Sequence, residues 1–99
     1  MAMGEESVMP RTNVEIKLDF PVDMDGATVG VLTMRRPKVR DQLMAQKQAG
    51  NDPAKTEILL FSFLCEVSPS NMEELDIADY DKLREAYSVF RAGLSQQNL

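Results

Sequence analysis

Leu32-Thr33-Met34-Arg35-Arg36-Pro37-Lys38-Val39-Arg40-Asp41 is the stretch where an alternating, strand-like half of the chain gives way to a helical half. Proline at 37 fixes its own φ, lacks an N–H and pushes Arg36 toward an extended conformation, so a strand ends and a helix begins there. Four of the eleven Lys and Arg residues fall in these ten positions, although the protein carries a net charge of −5. The joint is therefore also the densest positive charge on the molecule.

Upstream of it, Val14, Ile16, Leu18 and Phe20 alternate with Glu15, Lys17 and Asp19, which describes a strand with one apolar and one wet face. Pro21 ends that strand or marks an edge position, and Val22 and Met24 continue the same face. Asp25-Gly26 suits a tight hairpin turn with positive φ. Asp23, Asp25 and Gly26 also touch the calcium-loop pattern, but that pattern needs a third acid before the glycine and a glutamate six residues beyond it, where Leu32 stands. The second strand, Ala27 to Met34, changes parity within itself. A bulge at Gly30 would put Val29, Leu32 and Met34 on the core side.

Downstream, a first helix is expected over 37–49, stopped by Gly50. Its apolar positions are a narrow stripe of Val39, Leu43 and Met44, so it is a surface helix. Its basic first turn runs against the helix dipole, which favours acids there. Asp52 as N-cap and Pro53 at the first turn open a second helix over 54–66. Ile58, Leu59, Leu60, Phe61, Phe63, Leu64 and Cys65 make it apolar around nearly its whole circumference. A chain this small covers such a helix with difficulty, which argues for oligomerisation or a protein partner. Ser70 with Glu73 resembles a capping box for a short helix over 70–75, and Asp79 is the expected N-cap of a last helix over 80–93. Tyr80, Leu83, Tyr87, Phe90 and Leu94 recur along it at helical spacing.

The expected fold is α+β: a β-hairpin over 14–34 packed on three to four helices. Residues 14–94 form one domain, between a flexible tail over 1–13 and a frayed one over 95–99. Charge is segregated, with Arg35 to Arg40 basic and Glu73, Glu74, Asp76, Asp79 and Asp81 acidic. The methionines Met9, Met24, Met34, Met44 and Met72 suit either an adaptable binding surface or ordinary core filling.

The chemistry of an enzyme is missing. There is no histidine, hence no Ser-His-Asp or Cys-His arrangement, and the one cysteine, Cys65, makes neither a disulfide nor a thiolate zinc site. No phosphate-binding glycine motif occurs. Catalytic, cofactor and metal sites are therefore each expected to be none. The lone thiol fits a reducing cytoplasm, no apolar run reaches the ~18–20 residues of a membrane span, and residues 1–13 do not read as a secretory signal. The acidic balance weighs against nucleic-acid and anionic-membrane binding.

Val29 to Asp41 reads V-x-x-L-x-M-R-x-P-x-x-x-D, and it resembles a segment of the tail assembly chaperones of Mu-type contractile-tailed phages. The resemblance continues through the apolar helix Ile58–Cys65, the Ser68-Pro69 turn with Met72 and Leu75, and L-D-x-x-D-Y-x-x-L over Leu75–Leu83 with Phe90 following. It spans about residues 14 to 94. It implies a non-enzymatic phage or prophage protein that binds the tape-measure protein in the host cytoplasm and keeps it soluble while tail-tube subunits assemble. It further implies a homo-oligomer, or association with a frameshifted longer form. The candidate partner-binding residues are Arg35, Arg36, Lys38, Arg40, Leu59, Phe63 and Met44. Reversing Arg35, Arg36 and Arg40 to glutamate is expected to leave the fold largely intact. Two other readings stand beside this one: a structural tail-completion or connector protein, and a small nucleic-acid-binding regulator using the basic cluster.

Overall fold

The structure, a computed structural model, describes residues 12–97, with side chains as far as Gly93. Residues 1–11 of the expected 1–13 tail, Met9 among them, lie outside that range, as do the side chain of Leu94 and the last two residues. Strand β1 (Asn13–Met24) and strand β2 (Ala27–Arg35) form an antiparallel hairpin. It is followed by α1 (Val39–Ala49), α2 (Pro53–Cys65), the single turn α3 (Pro69–Met72) and α4 (Ile77–Gln97). The α+β architecture expected from the periodicities is the one observed.

The hairpin closes on Asp25 and Gly26, both at positive φ (55° and 87°), the two-residue turn whose twist matches that of the strands. Core pairs stack Val14 on Met34 and Ile16 on Leu32, with Val22 opposite Val29 beyond a break in register. The break lies opposite Gly30, but the extra residues belong to β1: from Lys17 to Val22 the first strand advances five positions while the second moves from Val31 to Val29. The expected bulge at Gly30 is thus corrected to a bulge in β1 around Pro21, which has no N–H to pair. The consequence foreseen for β2 holds, because Leu32 and Met34 are buried, Val29 packs on the core and Val31 is exposed.

Helix α2 is the centre of the molecule. Asp52 caps it by accepting from the N–H groups of Ala54 and Lys55, at 3.0 and 3.2 Å. It packs against α1, β2 and α3, while α4 lies along β1. Phe61, fully buried, meets the rings of Tyr80 and Tyr87 at 5.4 Å each. Leu60, Leu64 and Cys65 are buried beside it, and Ile58, Leu59 and Phe63 are half-buried against the same core. The chain itself therefore covers most of α2, and the expectation that this helix demands a second molecule is revised. Burial also pushes the Cys65 thiol up to about 12, the behaviour of an inert packing group. Met24, Met34 and Met72 fill the core, and Met44 stands in solvent.

Two caps differ from expectation. Ser68, not Ser70, caps α3, accepting from the Asn71 N–H at 3.1 Å. Asp76, not Asp79, caps α4, accepting from the Ala78 N–H at 2.9 Å, so the helix begins three residues earlier than expected. Asp79 is released for another task. Fully buried, it accepts from the backbone N–H groups of Asp19 and Phe20 at 2.8 and 3.0 Å. These are donors that the β1 bulge has withdrawn from the ladder, and unpaired they would each cost free energy. Lys82 completes the arrangement, reaching Asp19 at 2.9 Å, Asp79 at 3.5 Å and the Lys17 carbonyl at 2.9 Å. Burial alone would raise the Asp79 pKa, but the two backbone donors and the Lys82 ammonium outweigh it and hold the group below the ordinary carboxylate value. At the far end, α4 is interrupted at Gly93, whose φ of 81° and ψ of 175° favour glycine.

Candidate interaction surface

The strand-to-helix joint is built around one carboxylate. Asp41, at the third position of α1, reaches back to accept from the Lys38 N–H at 2.8 Å and so caps the helix start. The same carboxylate takes a bidentate pair from Arg35 at the end of β2, at 2.8 and 2.9 Å. The guanidinium and the Lys38 N–H together hold Asp41 below the ordinary carboxylate range, although it is buried. Arg36 turns the other way. Its guanidinium lies 4.9 Å above the Phe90 ring and donates to the Phe90 carbonyl at 3.5 Å, tying the joint to the far end of α4.

The basic cluster is thus divided. Arg35 and Arg36 are half-buried and engaged within the fold, while Lys38 and Arg40 are exposed. Among the described residues no ion pair joins this cluster to the acidic segment Glu73–Asp81; within that segment Asp79 pairs with Lys82 and Asp81 with Arg84.

Asp41 also decides how α1 is turned. Its buried residues are Asp41, Ala45 and Ala49, spaced four apart and so on one face. The larger apolar side chains point the other way: Val39 is 77%, Leu43 60% and Met44 51% exposed. The stripe that looked like the buried face of a surface helix is its outer face. Lys38, Arg40 and Lys47 are exposed around it. Alanines at the interface let α1 approach α2 closely, and the buried Arg35–Asp41 pair fixes its rotation.

Of the remaining candidates, Leu59 and Phe63 sit half-buried on α2, four residues apart, and belong to the core's margin. Sequence reasoning took Val39 and Leu43 for the inner stripe of α1 and did not count them or Lys47 among the contact candidates. The Asp41-Ala45-Ala49 spacing was the available signal. It also missed Ile77, 69% exposed, at the edge of a groove of about 290 Å³ floored by Ile58, Met72, Leu75 and Tyr80. At that groove the Glu57 carboxylate accepts from the Tyr80 hydroxyl at 2.9 Å and from Arg84 at 3.0 Å. Burial, and then the carboxylate beside it, raise the Tyr80 pKa.

A second cleft, of about 490 Å³, lies between α1, α2 and α4, with Gln42, Gln46, Thr56 and Tyr87 among its walls. It carries no nucleophile–base pair. Among the described residues no three Asp, Glu or Cys side chains converge as a metal site, and no helix is long and apolar enough to cross a membrane. What the surface offers is contact: Val39, Leu43 and Met44 exposed together on α1 with charge around them, and apolar side chains exposed at Phe20, Val31, Ile77 and Val89.

Comparison with known proteins agrees with a role in contact. The family model described as "Phage tail assembly chaperone proteins, E, or 41 or 14" matches residues 15–91, from the first strand to the last turns of α4. No match was found among curated proteins or solved structures.

Proposed function

Because the chain belongs to the phage tail assembly chaperone family, we propose that it acts, without catalysis, by binding the tape-measure protein and keeping it soluble while the tail is built. The family match over the hairpin and all four helices carries this reading. Exposed Val39, Leu43 and Met44 support it, because a partner that is long and apolar needs apolar surface to meet. The motifs at Leu32–Asp41 and Leu75–Leu83 favour the Mu-type contractile-tailed group.

In this reading the work is done in the bacterial host cytoplasm. The chain acts as a homo-oligomer or together with a frameshifted longer form. Lys38, Arg40 and Met44 touch the partner directly. Arg35 and Arg36 hold the joint that presents them, and Leu59 and Phe63 contribute where they emerge from the core. The commitment of Arg35 to Asp41 and of Arg36 to Phe90 weakens the nucleic-acid reading, since it leaves two of the four bases facing out.

The test is co-expression with the cognate tape-measure protein. The expected result is a rise in soluble tape-measure protein and a complex that co-purifies. Failure of both, with the chain instead found by mass spectrometry in purified mature virions, would make it a structural component.

A further inference from the structure

We propose that the outer face of α1 docks an amphipathic helix of the partner whose apolar stripe is edged by carboxylates. This rests on the chaperone reading for the partner's identity, but on the surface alone for the partner's chemistry. Val39 and Leu43 lie one helical turn apart, with Met44 on the adjoining row, so they form a ridge of the kind that packs into a facing helix. Six residues define the face, and the other three are Lys38, Arg40 and Lys47, all basic and all exposed.

The sign of that face is the decisive observation. The protein carries −5 overall, yet the only acid on α1, Asp41, is turned inward onto Arg35. The outer face is therefore purely positive. An acid-edged helix is repelled by most of the molecule and attracted here, which selects both the site and the orientation of docking. A phosphate backbone would gain nothing from the three apolar side chains between the bases.

The size of the face argues for a repetitive partner over a second copy of this chain. Eleven residues at 1.5 Å each give a ridge of about 16 Å, and a helix is roughly 10 Å wide. The buried area is then a few hundred Å² per side by this rough estimate, short of the ~800 Å² per partner typical of a stable complex. One contact of this kind is weak. Copies linked in one oligomer would engage several segments of a long partner at once, and that linkage raises the affinity above that of a single contact.

Two measurements on the full chain separate this inference from the reading beneath it. The first titrates the chain, by NMR or fluorescence anisotropy, with a helical peptide of apolar stripe and acidic edges, and with its basic-edged counterpart. The acidic peptide should bind, with shifts centred on α1, and the basic one should bind at least ~10-fold more weakly. L43E and the pair R40E/K47E should each lose ~10-fold or more while keeping the wild-type circular dichroism, and I77E should bind as wild type. Equal binding of both peptides, no binding of either, or loss only in I77E overturns the proposal.

The second places a photo-crosslinker at 43 during co-expression with the tape-measure protein. Crosslinks to acid-flanked helical segments are expected. Crosslinks to a second copy, with L43E abolishing self-association, overturn the proposal in favour of a copy–copy interface. If the peptide behaves as expected but the tape-measure protein is never captured, the chaperone reading fails while the chemistry of the face stands.

Discussion

Helices α1 and α4 flank the same core and use opposite rules. Helix α4 buries its large side chains, Tyr80, Leu83 and Phe90, and shows charges with Ile77 and Val89 among them, while α1 buries two alanines and an aspartate and shows valine, leucine and methionine. The difference follows from what each helix lies against. Helix α4 lies along β1 and meets Phe61, where aromatic rings fill the space between helix and strand. Helix α1 packs mainly on another helix and meets β2 through the Arg35–Asp41 pair, and small residues allow it to come close. A helix that buries alanines gains little from burial, so its position depends on the ion pair and cap at its start. One helix holds the fold together; the other is held by it.

That contrast can be broken first at the core. Phe61→Ala should cost about 3–5 kcal/mol by removing the ring that α4 packs on, whereas Leu43→Ala should change stability by under ~0.5 kcal/mol. Urea unfolding followed by circular dichroism measures both. Equal losses would mean that α1's outer face is covered in the free protein.

The next effect is at the buried carboxylate. Asp79→Ala leaves the Asp19 and Phe20 amides without their acceptor and should cost about 2–3 kcal/mol. The same group sets an acid limit together with Asp41. Both carboxyls lie below their ordinary value of 3.8 in the folded protein. Their contribution is therefore complete above that value and is lost as pH falls through the folded pKa. Urea midpoints taken from pH 6 down to pH 2 should fall in the acid limb, and Asp79→Asn should flatten that fall. An unchanged slope would remove Asp79 from the account.

A smaller effect divides the basic cluster. Arg35→Glu sets a like charge against Asp41 and should destabilise by about 1–2 kcal/mol, while Arg40→Glu should stay within ~0.5 kcal/mol. The expectation that both could be reversed harmlessly, along with Arg36, is revised on this ground. Binding to an acid-edged helix should respond in the opposite order, with Arg40 the more sensitive. Thermal melts and binding curves on the two single variants sharpen the comparison most directly.

Much of this was legible in local sequence. The alternation from Val14, the Asp25-Gly26 turn, the Asp52-Pro53 cap and the aromatic spacing of α4 each state a local preference that the fold obeys. The rotation of α1 was not legible, because periodicity rewards the larger side chains. The deciding partner of Asp41 is an arginine on a different element. Asp79 was misread for a similar reason: an aspartate before a helical pattern is usually a cap, and its true donors lie sixty and fifty-nine residues away in a bulge that was expected on the other strand. Of the seven candidate contact residues, Lys38, Arg40 and Met44 are exposed, and Arg35, Arg36, Leu59 and Phe63 are half-buried.

The pinned bulge has a further consequence, in time instead of space. The amides of Asp19 and Phe20 lie in residues that are themselves exposed, yet their hydrogens are held by a carboxylate on α4. They can exchange with solvent only when that helix lifts from the strand. In a hydrogen-exchange experiment these two protons would serve as a clock for the last helix, running separately from the clocks of the hairpin ladder and of α1. Such a clock would tell whether a bound partner quiets the whole domain or only the face it touches.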